Sequence, residues 1–367
     1  MAEKTLILLT PGFPKDEKDT TCIPFIQQFI LSINKAHPEL KIIALSFYYP
    51  FSSTQYSWHG NLIIPFNGNR FTKLKRPVHW WRIYRTLKKL NKQRKIIGIV
   101  SFWLSHTAFI GHHFAKRNNV QHYCWLRGQD AKKKNPVFRY YKPAPHSLIA
   151  LSKYQHNVFI ENYGITPKHI IPNAIRKEEF DHIIYQEKSI DIIGVGSLIS
   201  LKRYELFIKT IEQLKHDFPN IKAVLVGDGD QRDFLMQLVK QKKLENNISF
   251  KGLLSHNEAL QLMQQSKILL HPSEYEGYGR VCIESLYLGC EVVSFIDPEQ
   301  KPIPRWHIVH SPGSMIDTCR NILLKKTSDT SQIKVNMMED CINQVLELFE
   351  YSSNSISRKT NQSLAIS

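Results

Sequence analysis

The sequence predicts an α/β protein built from two Rossmann-like, doubly wound parallel-sheet domains that face a cleft. Short runs rich in Val, Ile and Leu alternate with segments whose apolar residues repeat at the helical period. Such alternation is typical of parallel sheets covered by helices. The alternation pauses in a charged, glycine-poor stretch and then restarts. A chain of 367 residues, 42% of them hydrophobic, suits two domains better than one.

The first half of the chain predicts one parallel sheet. Helix-period segments such as CIPFIQQFILSINKA and AFIGHHFAKRNN separate its strand-like runs, which are LILLT, KIIALSFYY, KIIGIVSFW, QHYCWL and SLIALS. We therefore expect an N-terminal domain over residues 1–175. The boundary falls in the charged segment around residues 174–188.

The second half predicts another sheet, in a domain over residues 189–333. Its strand-like runs are IDIIGVGSL, IKAVLVGDG, ISFKG and KILLHPS, with helical segments between them. Ligands of such folds bind at the carboxyl ends of the strands, here facing the cleft between domains. Apolar spacing over about residues 334–351 predicts an amphipathic helix that could pack back onto the first domain, followed by a frayed polar tail after Ser352.

Cysteine usage and the start of the chain bear on its compartment. The six cysteines form no CxxC pair, which argues against a thiol metal site and a disulfide scaffold. The opening apolar run is too short for a secretory signal, and no eighteen apolar residues occur consecutively. We expect a cytoplasmic chain without membrane spans, with a peripheral position on the inner face of the membrane as one alternative.

The stretch HPSEYEGYGRVCIESLYLG, which begins at His271, combines a strand end, a glycine-bearing loop and a helix. KILLHPS predicts a buried strand, and the helix should begin near Gly279 and stop at Gly289. Helical side chains lean toward the N-terminus, so Glu284 can reach back to the loop that carries Glu276. For either acid alone, a helix-end preference is explanation enough, but both acids together with the glycines favour a polyhydroxylated ligand.

The same loop also offers hydrogen-bond donors. Free N–H groups at the helix start, made accessible by Gly277 and Gly279 on either side of Tyr278, suit a phosphate or a sugar hydroxyl. Acids for hydroxyls beside donors for phosphate predict a nucleotide sugar as ligand.

The pattern PS-x-x-EG-x-G-x-x-x-x-ES resembles the donor-site signature of family 4 glycosyltransferases, which adopt the GT-B fold. The resemblance implies that Glu276 meets the transferred sugar and that Glu284 holds the ribose. It also implies that the anomeric configuration is retained. We expect a metal-independent transfer with no cofactor beyond the nucleotide-sugar donor. The pair Asp228 and Asp230, in a Gly-Asp-Gly-Asp turn after a strand, is explained by ordinary turn chemistry.

Two further segments are similar to the donor domain of this family. GVGSLISLKRYELF resembles its strand–loop–helix, in which an Arg and a Lys bind the diphosphate; here Lys202 holds the Lys position, Ser197 replaces the Arg, and Arg203 could assist. ISFKGLLSH resembles the base-contacting loop, which places Gly252 and Leu253 at the nucleotide.

The N-terminal half carries two weaker matches. Gly12, in TPGFP, resembles the family's glycine-bearing loop and could approach donor phosphate or acceptor, or simply turn the chain. WLRGQD stands where relatives read His-Gly-x-Asp, so Arg127 occupies the place of a His near the reacting sugar. Either Arg127 contacts phosphate or acceptor, or this site is altered, whereas Asp130 keeps the family's acid.

The net charge of +17 attracts anions of several kinds. Residues 70–95 contain eleven Lys or Arg and no acid, with aromatic and aliphatic residues interspersed. As a helix after Pro77, this segment could lie on an anionic membrane surface or pack its apolar side into the core. No nucleic-acid motif accompanies it, so we expect no nucleic-acid partner.

The leading hypothesis is a retaining glycosyltransferase that uses a nucleotide-diphosphate sugar and a glycan or lipid-linked acceptor, in the synthesis of a bacterial-type surface polysaccharide or glycolipid. Two alternatives stay open. One is a GT-B-like sugar-nucleotide epimerase or phosphorylase, and the other is a non-catalytic basic protein that binds lipid or nucleic acid on the same scaffold. The expected catalytic residues are Glu276, Lys202 and Arg127, and we expect no metal site.

Overall fold

A computed structural model describes residues 3–70, 76–325 and 333–351 of the chain. The chain divides into two compact units. Of the described residues, the first unit contains those up to 151, residues 156–171 and residues 338–351, and the second contains residues 152–155 and those from 172 to 337. The polar tail expected after Ser352 lies outside the described residues.

The first unit is built on an eight-stranded sheet in the order β3-β4-β2-β1-β5-β6-β7-β8. Its strands are β1 (Lys4–Gly12), β2 (Lys41–Tyr49), β3 (Tyr56–Trp58), β4 (Asn61–Pro65), β5 (Lys95–Phe102), β6 (His122–Trp125), β7 (Leu148–Ala150) and β8 (His169–Ile170). All neighbouring strands pair in parallel except β3 and β4. The central strand β1 is buried over six successive residues, as expected for a strand covered on both faces.

Helices cover this sheet. They are α1 (Pro24–Ala36), α2 (Arg76–Gln93), α3 (His106–Asn118), α4 (Lys153–Tyr163), whose first residues belong to the second unit, and α10 (Met338–Glu347). The helix expected over residues 334–351 is thus shorter than its apolar spacing indicates. Residues before it stay extended because the Ile175 N–H donates to the Asn336 carbonyl at 3.0 Å, inside the second unit.

Helix α10 and residues 348–351 belong to the first unit. The Phe349 ring lies so close to β5 that a Cβ on Gly98 would be 2.1 Å from it. The Tyr123 hydroxyl of β6 donates to the Leu348 carbonyl at 3.0 Å. The absence of a side chain at Gly98 therefore lets the C-terminal segment seal this part of the sheet.

Helix α2 shows what becomes of the basic segment 70–95, of which residues 71–75 lie outside the described residues. Ile83, Leu87 and Leu90 are buried in the core beneath α2. The Trp80 ring packs against Phe109 of α3 at 5.3 Å. Trp81, in contrast, is 55% exposed. Most of the apolar side therefore packs into the first unit and is not available to lipid.

The second unit carries a six-stranded, all-parallel sheet in the order β11-β10-β9-β12-β13-β14. Its strands are β9 (Ile190–Val195), β10 (Ala223–Val226), β11 (Ile248–Gly252), β12 (Ser266–His271), β13 (Glu291–Ser294) and β14 (Trp306–Ile308). Its helices are α5 (Tyr204–Leu214), α6 (Arg232–Gln241), α7 (His256–Gln264), α8 (Arg280–Tyr287) and α9 (Pro312–Leu324). The core between sheet and helices contains the buried residues Phe207, Leu225 and Leu270.

The strand order of the second unit creates a switch point. From β9 the chain runs outward to β10 and β11 and then returns to form β12 on the other side of β9. Loops at the carboxyl ends of two such strands leave in opposite directions, which opens a crevice between them. Among the described residues, no helix combines the length and the apolar character that a membrane crossing requires.

Candidate functional site

The residues expected to bind a donor gather at the switch point between β9 and β12. Lys202 ends a short 3₁₀ helix, Ser200–Lys202, that follows β9. Glu276 lies in the loop that follows β12, and α8 begins after Gly279. The Glu274 N–H donates to the Leu201 carbonyl at 3.0 Å, which joins the two loops. Strand, loop and helix therefore begin and end here as the sequence predicts.

The turn after β9 is packed tightly against the turn after β10. A Cβ on Gly227 would lie 1.9 Å from the Gly196 carbonyl oxygen, and Gly227 has φ +134°. Both conditions require glycine. The close approach fixes the backbone that leads into Ser197, which is exposed, and on to Lys202.

Glu276 is held by three donors that meet at one carboxylate oxygen. Its Oε1 pairs with the Lys202 ammonium group and accepts hydrogen bonds from His271 Nε2 and Ser273 Oγ, each at 3.1 Å. Burial opposes ionisation, but the His271 and Lys202 contacts lower the pKa of Glu276 to about 2. Glu276 is therefore an anion at neutral pH, and its second oxygen accepts no hydrogen bond from the described residues.

His271 has a defined role at this carboxylate. The ring is buried, and burial lowers its pKa although Glu276 opposes the shift. A neutral imidazole must carry its proton on Nε2 to donate to an ionised carboxylate. His271 therefore fixes the orientation of the Glu276 carboxylate.

Glu284 is anchored in a similar way inside α8. Arg280 Nε donates to its Oε1 at 2.7 Å, and His256 Nε2 lies 3.0 Å from the same oxygen. Burial opposes ionisation here too, but Arg280 and His256 lower the pKa of Glu284 to about 2. Both acids of the motif are thus preformed anions.

The sequence prediction missed several of these partners. Arg280 precedes Glu284 by four residues on one helix, so the i,i+4 rule could have found it. Ser273 and His271 stand close to Glu276 in the chain, but no spacing rule singles them out. Glu179, which accepts from Arg280 Nη2 at 2.7 Å, is 101 residues away, and no local signal connects them.

The loop that was expected to contact the base presents an exposed side chain. Gly252 ends β11 with φ +67°, which favours glycine. Leu253, the next residue, is 69% exposed. An apolar side chain held in solvent at a strand's carboxyl end is consistent with the expected contact to a flat base, which remains a prediction.

Other candidates have contacts within the second unit. The Arg203 guanidinium lies 5.4 Å from the centre of the Phe295 ring. The Gly277 carbonyl accepts a hydrogen bond from Ser152 Oγ at 2.5 Å. The Tyr278 side chain is buried and its hydroxyl accepts from Asn336 Nδ2 at 2.9 Å. The Tyr278 side chain thus anchors the loop, and a contact between its backbone and a ligand remains a prediction.

Arg127 and Gly12 belong to the first unit. The Arg127 guanidinium packs 3.7 Å from the centre of the Phe25 ring and 4.4 Å from that of Trp125, and Arg127 is only 6% exposed. Burial raises the pKa of Asp130 to about 7, although N–H groups of Arg127 and Leu104 donate to its carboxylate. Arg127 is therefore packed among aromatic rings, which favours the interpretation that this site is altered.

Gly12 ends β1, and β1 and β5 are the strands at the switch point of the first sheet. A Cβ on Gly12 would meet its nearest neighbour at an ordinary 3.5 Å. Packing within the first unit therefore does not by itself require glycine at this position.

Two doubly wound parallel sheets, with paired acids and a lysine at the switch point of the second, place the chain in the GT-B class of folds. Residues 175–299 match the family model described as glycosyl transferases group 1. The finer assignment to family 4 remains a prediction.

Curated relatives match part of the chain. A Campylobacter jejuni enzyme, N-acetylgalactosamine-N,N'-diacetylbacillosaminyl-diphospho-undecaprenol 4-alpha-N-acetylgalactosaminyltransferase, is 30% identical over 41% of this chain and 41% of its own length. The phosphatidylinositol N-acetylglucosaminyltransferase gpi3 subunit of Schizosaccharomyces pombe is 28% identical over 35% of this chain and 29% of its own length. The chain thus spans less than half the length of these relatives.

Likeness to solved structures extends over the whole fold. The crystal structure of Anabaena Alr3699/HepE in complex with UDP aligns with a TM-score of 0.64 and 16% identity, covering 95% of this chain and 99% of that one. At this identity the match establishes the fold.

Proposed function

We propose that this protein is a glycosyltransferase that moves a sugar from a nucleoside-diphosphate donor to a hydroxyl acceptor. The observation that carries the proposal is the Lys202–Glu276 pair at the switch point between β9 and β12. In this pair, a cation suited to a diphosphate lies beside a carboxylate suited to a sugar hydroxyl. The names of the curated relatives, both transferases of amino sugars, support the same reaction class.

Departure of the diphosphate needs positive charge where negative charge develops. Lys202 can supply it, because its side chain is 18% exposed and its only described ion-pair partner is Glu276. The backbone N–H groups at the start of α8, after Gly279, add a positive end of a helix dipole. When the phosphate draws Lys202 away, Glu276 keeps its contacts with His271 and Ser273.

Glu276 has a separate task at the sugar. As a fixed anion it can accept a hydrogen bond from a sugar hydroxyl and stabilise positive charge at the reacting carbon. The resemblance to retaining enzymes supports a front-face substitution, in which the leaving diphosphate oxygen takes the proton of the acceptor hydroxyl. Glu284 then serves the ribose.

A kinetic comparison tests the role of Glu276. Replacement Glu276→Ala should lower turnover roughly 100-fold, by analogy with the loss of one transition-state contact, while donor affinity changes much less. Glu276→Gln is the matched variant, because it keeps the shape and one acceptor but removes the charge. Wild-type turnover in Glu276→Ala contradicts the assignment. Interconversion of nucleotide sugars without any acceptor favours the epimerase alternative instead.

We also propose that the acceptor is a lipid-linked glycan presented at an anionic membrane surface, as in surface polysaccharide or glycolipid synthesis. The support is the exposed stripe of α2, where Val78 and Trp81 precede Arg85, Lys88 and Lys92. Beside it lies a groove of about 350 Å³, whose lining includes Arg82, Arg85 and Lys89 and, within the described part of the chain, no acidic residue. Polybasic surfaces with an exposed Trp associate with anionic lipid.

Sedimentation with vesicles tests this part of the proposal. The protein should sediment with phosphatidylglycerol vesicles at low salt and be released at high salt, because the attraction is screened. A variant with Arg85, Lys88 and Lys92 all replaced by Gln should bind more weakly than one with the exposed lysines Lys240, Lys242 and Lys243 so replaced. Equal binding of the two variants contradicts the role of α2.

A further inference from the structure

We propose that Arg280, Glu179 and His256 form a positioning cluster that holds the Glu284 carboxylate in the orientation that receives the ribose hydroxyls of the donor. The inference rests on the proposed function, because it assigns Glu284 to the ribose. It adds three residues that lie outside the Glu-x₇-Glu pattern.

Arg280 is the centre of the cluster. Its Nε donates to Glu284 Oε1 at 2.7 Å, and its Nη2 donates to both carboxylate oxygens of Glu179, at 2.7 Å and 2.8 Å. A planar guanidinium with a fixed fork can hold two carboxylates at a set angle, which a lysine ammonium cannot. The orientation of Glu284 therefore depends on Glu179 through one rigid group.

His256 closes the cluster from a different helix. Its Nε2 lies 3.0 Å from Glu284 Oε1, and its Nδ1 lies 3.4 Å from Glu179 Oε1. His256 opens α7, whereas Arg280 opens α8, so two helix starts converge on one carboxylate. Arg280 and His256 therefore both contact the same oxygen of Glu284, which is Oε1.

Glu179 is itself fixed in the segment that connects the two sheets along the chain. It ends the 3₁₀ helix Lys177–Glu179, and its Oε2 accepts from the Arg176 N–H at 3.0 Å. A side chain that is fixed by its own backbone turn gives Arg280 a rigid base. The turn fixes Glu179, Glu179 fixes Arg280, and Arg280 in turn restricts the orientation of the Glu284 carboxylate.

The opposite charges within the cluster stabilise its two carboxylates although both are buried. Two buried carboxylates would repel each other and pay a large desolvation cost. Arg280 pairs with both carboxylates, and these carboxylates favour the protonated form of His256. Within the four side chains, Arg280 Nη1 is the one buried polar atom without a hydrogen-bond partner among the described residues. With Oε1 of Glu284 occupied twice, its second oxygen is left for a ligand, and no described residue donates to it.

Binding of uridine diphosphate and of its dideoxy analogue, which lacks both ribose hydroxyls, tests the inference. In calorimetric titrations, Arg280→Met should bind uridine diphosphate about tenfold more weakly than wild type, because the hydrogen bond between the ribose and the charged Glu284 is misplaced. The dideoxy analogue should bind wild type and Arg280→Met equally. Arg320→Met, which removes only an exposed pair with Asp217 and Asp317, is the matched control and should change neither affinity.

The outcomes separate this inference from the proposed function. An equal loss for both ligands, or no loss for either, overturns the positioning role. Guanosine, adenosine and cytidine diphosphates are titrated in the same way. If the wild type binds none of these nucleotides and neither uridine ligand, the proposed function is overturned instead. If Arg280→Met does not fold, Glu179→Gln is tested in its place. Its affinity for uridine diphosphate should fall about threefold, and its affinity for the dideoxy analogue should not change.

Discussion

Both acids of the motif are anchored through one oxygen and keep the other for a ligand. Oε1 of Glu276 meets Lys202, His271 and Ser273, and Oε1 of Glu284 meets two further donors. A carboxylate held this way loses little conformational freedom when its ligand arrives. The proposed donor site is therefore preorganised before its ligand arrives.

The charge state of His256 predicts how stability depends on pH. Burial works against protonation, but the Glu284 and Glu179 carboxylates raise the pKa of His256 above its usual value. A raised folded-state pKa contributes stability that is complete below the unfolded pKa, about 6.5, and is lost as pH rises through the folded value. The difference in free energy of unfolding between wild type and His256→Gln should therefore shrink as pH rises above about 6.5.

Chemical denaturation across this pH range measures the effect. His216→Gln, which replaces an exposed histidine outside the cluster, is the matched control. A wild-type advantage over His256→Gln that grows with pH contradicts the assignment of these carboxylates as the partners of His256.

At the scale of the element, the start of α8 depends on one backbone conformation. Gly279 is the N-cap residue with φ +81°, and a Cβ there would lie 3.2 Å from Cys282 Sγ. Gly279→Ala should therefore lower the free energy of unfolding by about 1–2 kcal/mol. Gly313→Ala, in the first turn of α9 where φ is not positive and the nearest contact is 3.8 Å, is the control.

Denaturant unfolding of the two variants distinguishes strain from simple helix propensity. Gly313→Ala should leave the free energy of unfolding unchanged or raise it by up to about 1 kcal/mol, because alanine favours an ordinary helical conformation. Equal effects in Gly279→Ala and Gly313→Ala contradict the strain argument.

Local sequence patterns predicted most elements of the second unit, and the reason is physical. The strand before His271 and the helix after Gly279 are each specified by neighbouring residues: buried apolar runs, a cap and a glycine stop. The C-terminal helix was predicted too long because Asn336 is held in an extended segment by Ile175, far away in the chain. Apolar spacing carries no information about such a contact.

The same limit applies to the candidate site. Glu276, Glu284 and Lys202 were predicted because their spacing and resemblance are local features of the sequence. Their partners Glu179 and His256 come from other elements, and only the folded chain brings them to the carboxylates. Arg127 was given a possible catalytic role by its position in a motif, but its contact with Phe25, which is distant in the chain, could not be read from that motif.

At the scale of the whole molecule, the residues proposed for the donor and those proposed for the acceptor lie mostly in different units. The residues proposed for donor binding lie in the second unit, apart from Gly12 and Arg127. The basic stripe of α2, proposed for the acceptor side, lies in the first. The excess positive charge of the chain suits both a phosphorylated donor and an anionic acceptor surface.

Calorimetric titration of the purified protein with uridine, guanosine, adenosine and cytidine diphosphates, without added metal, tests the central claim most directly. Wild type should bind one of them selectively. Glu284→Ala should weaken that binding roughly tenfold or more, because a charged acceptor for the ribose is lost. Binding of none of the four, or equal binding by wild type and Glu284→Ala, would contradict a nucleotide-sugar site at the switch point of the second sheet.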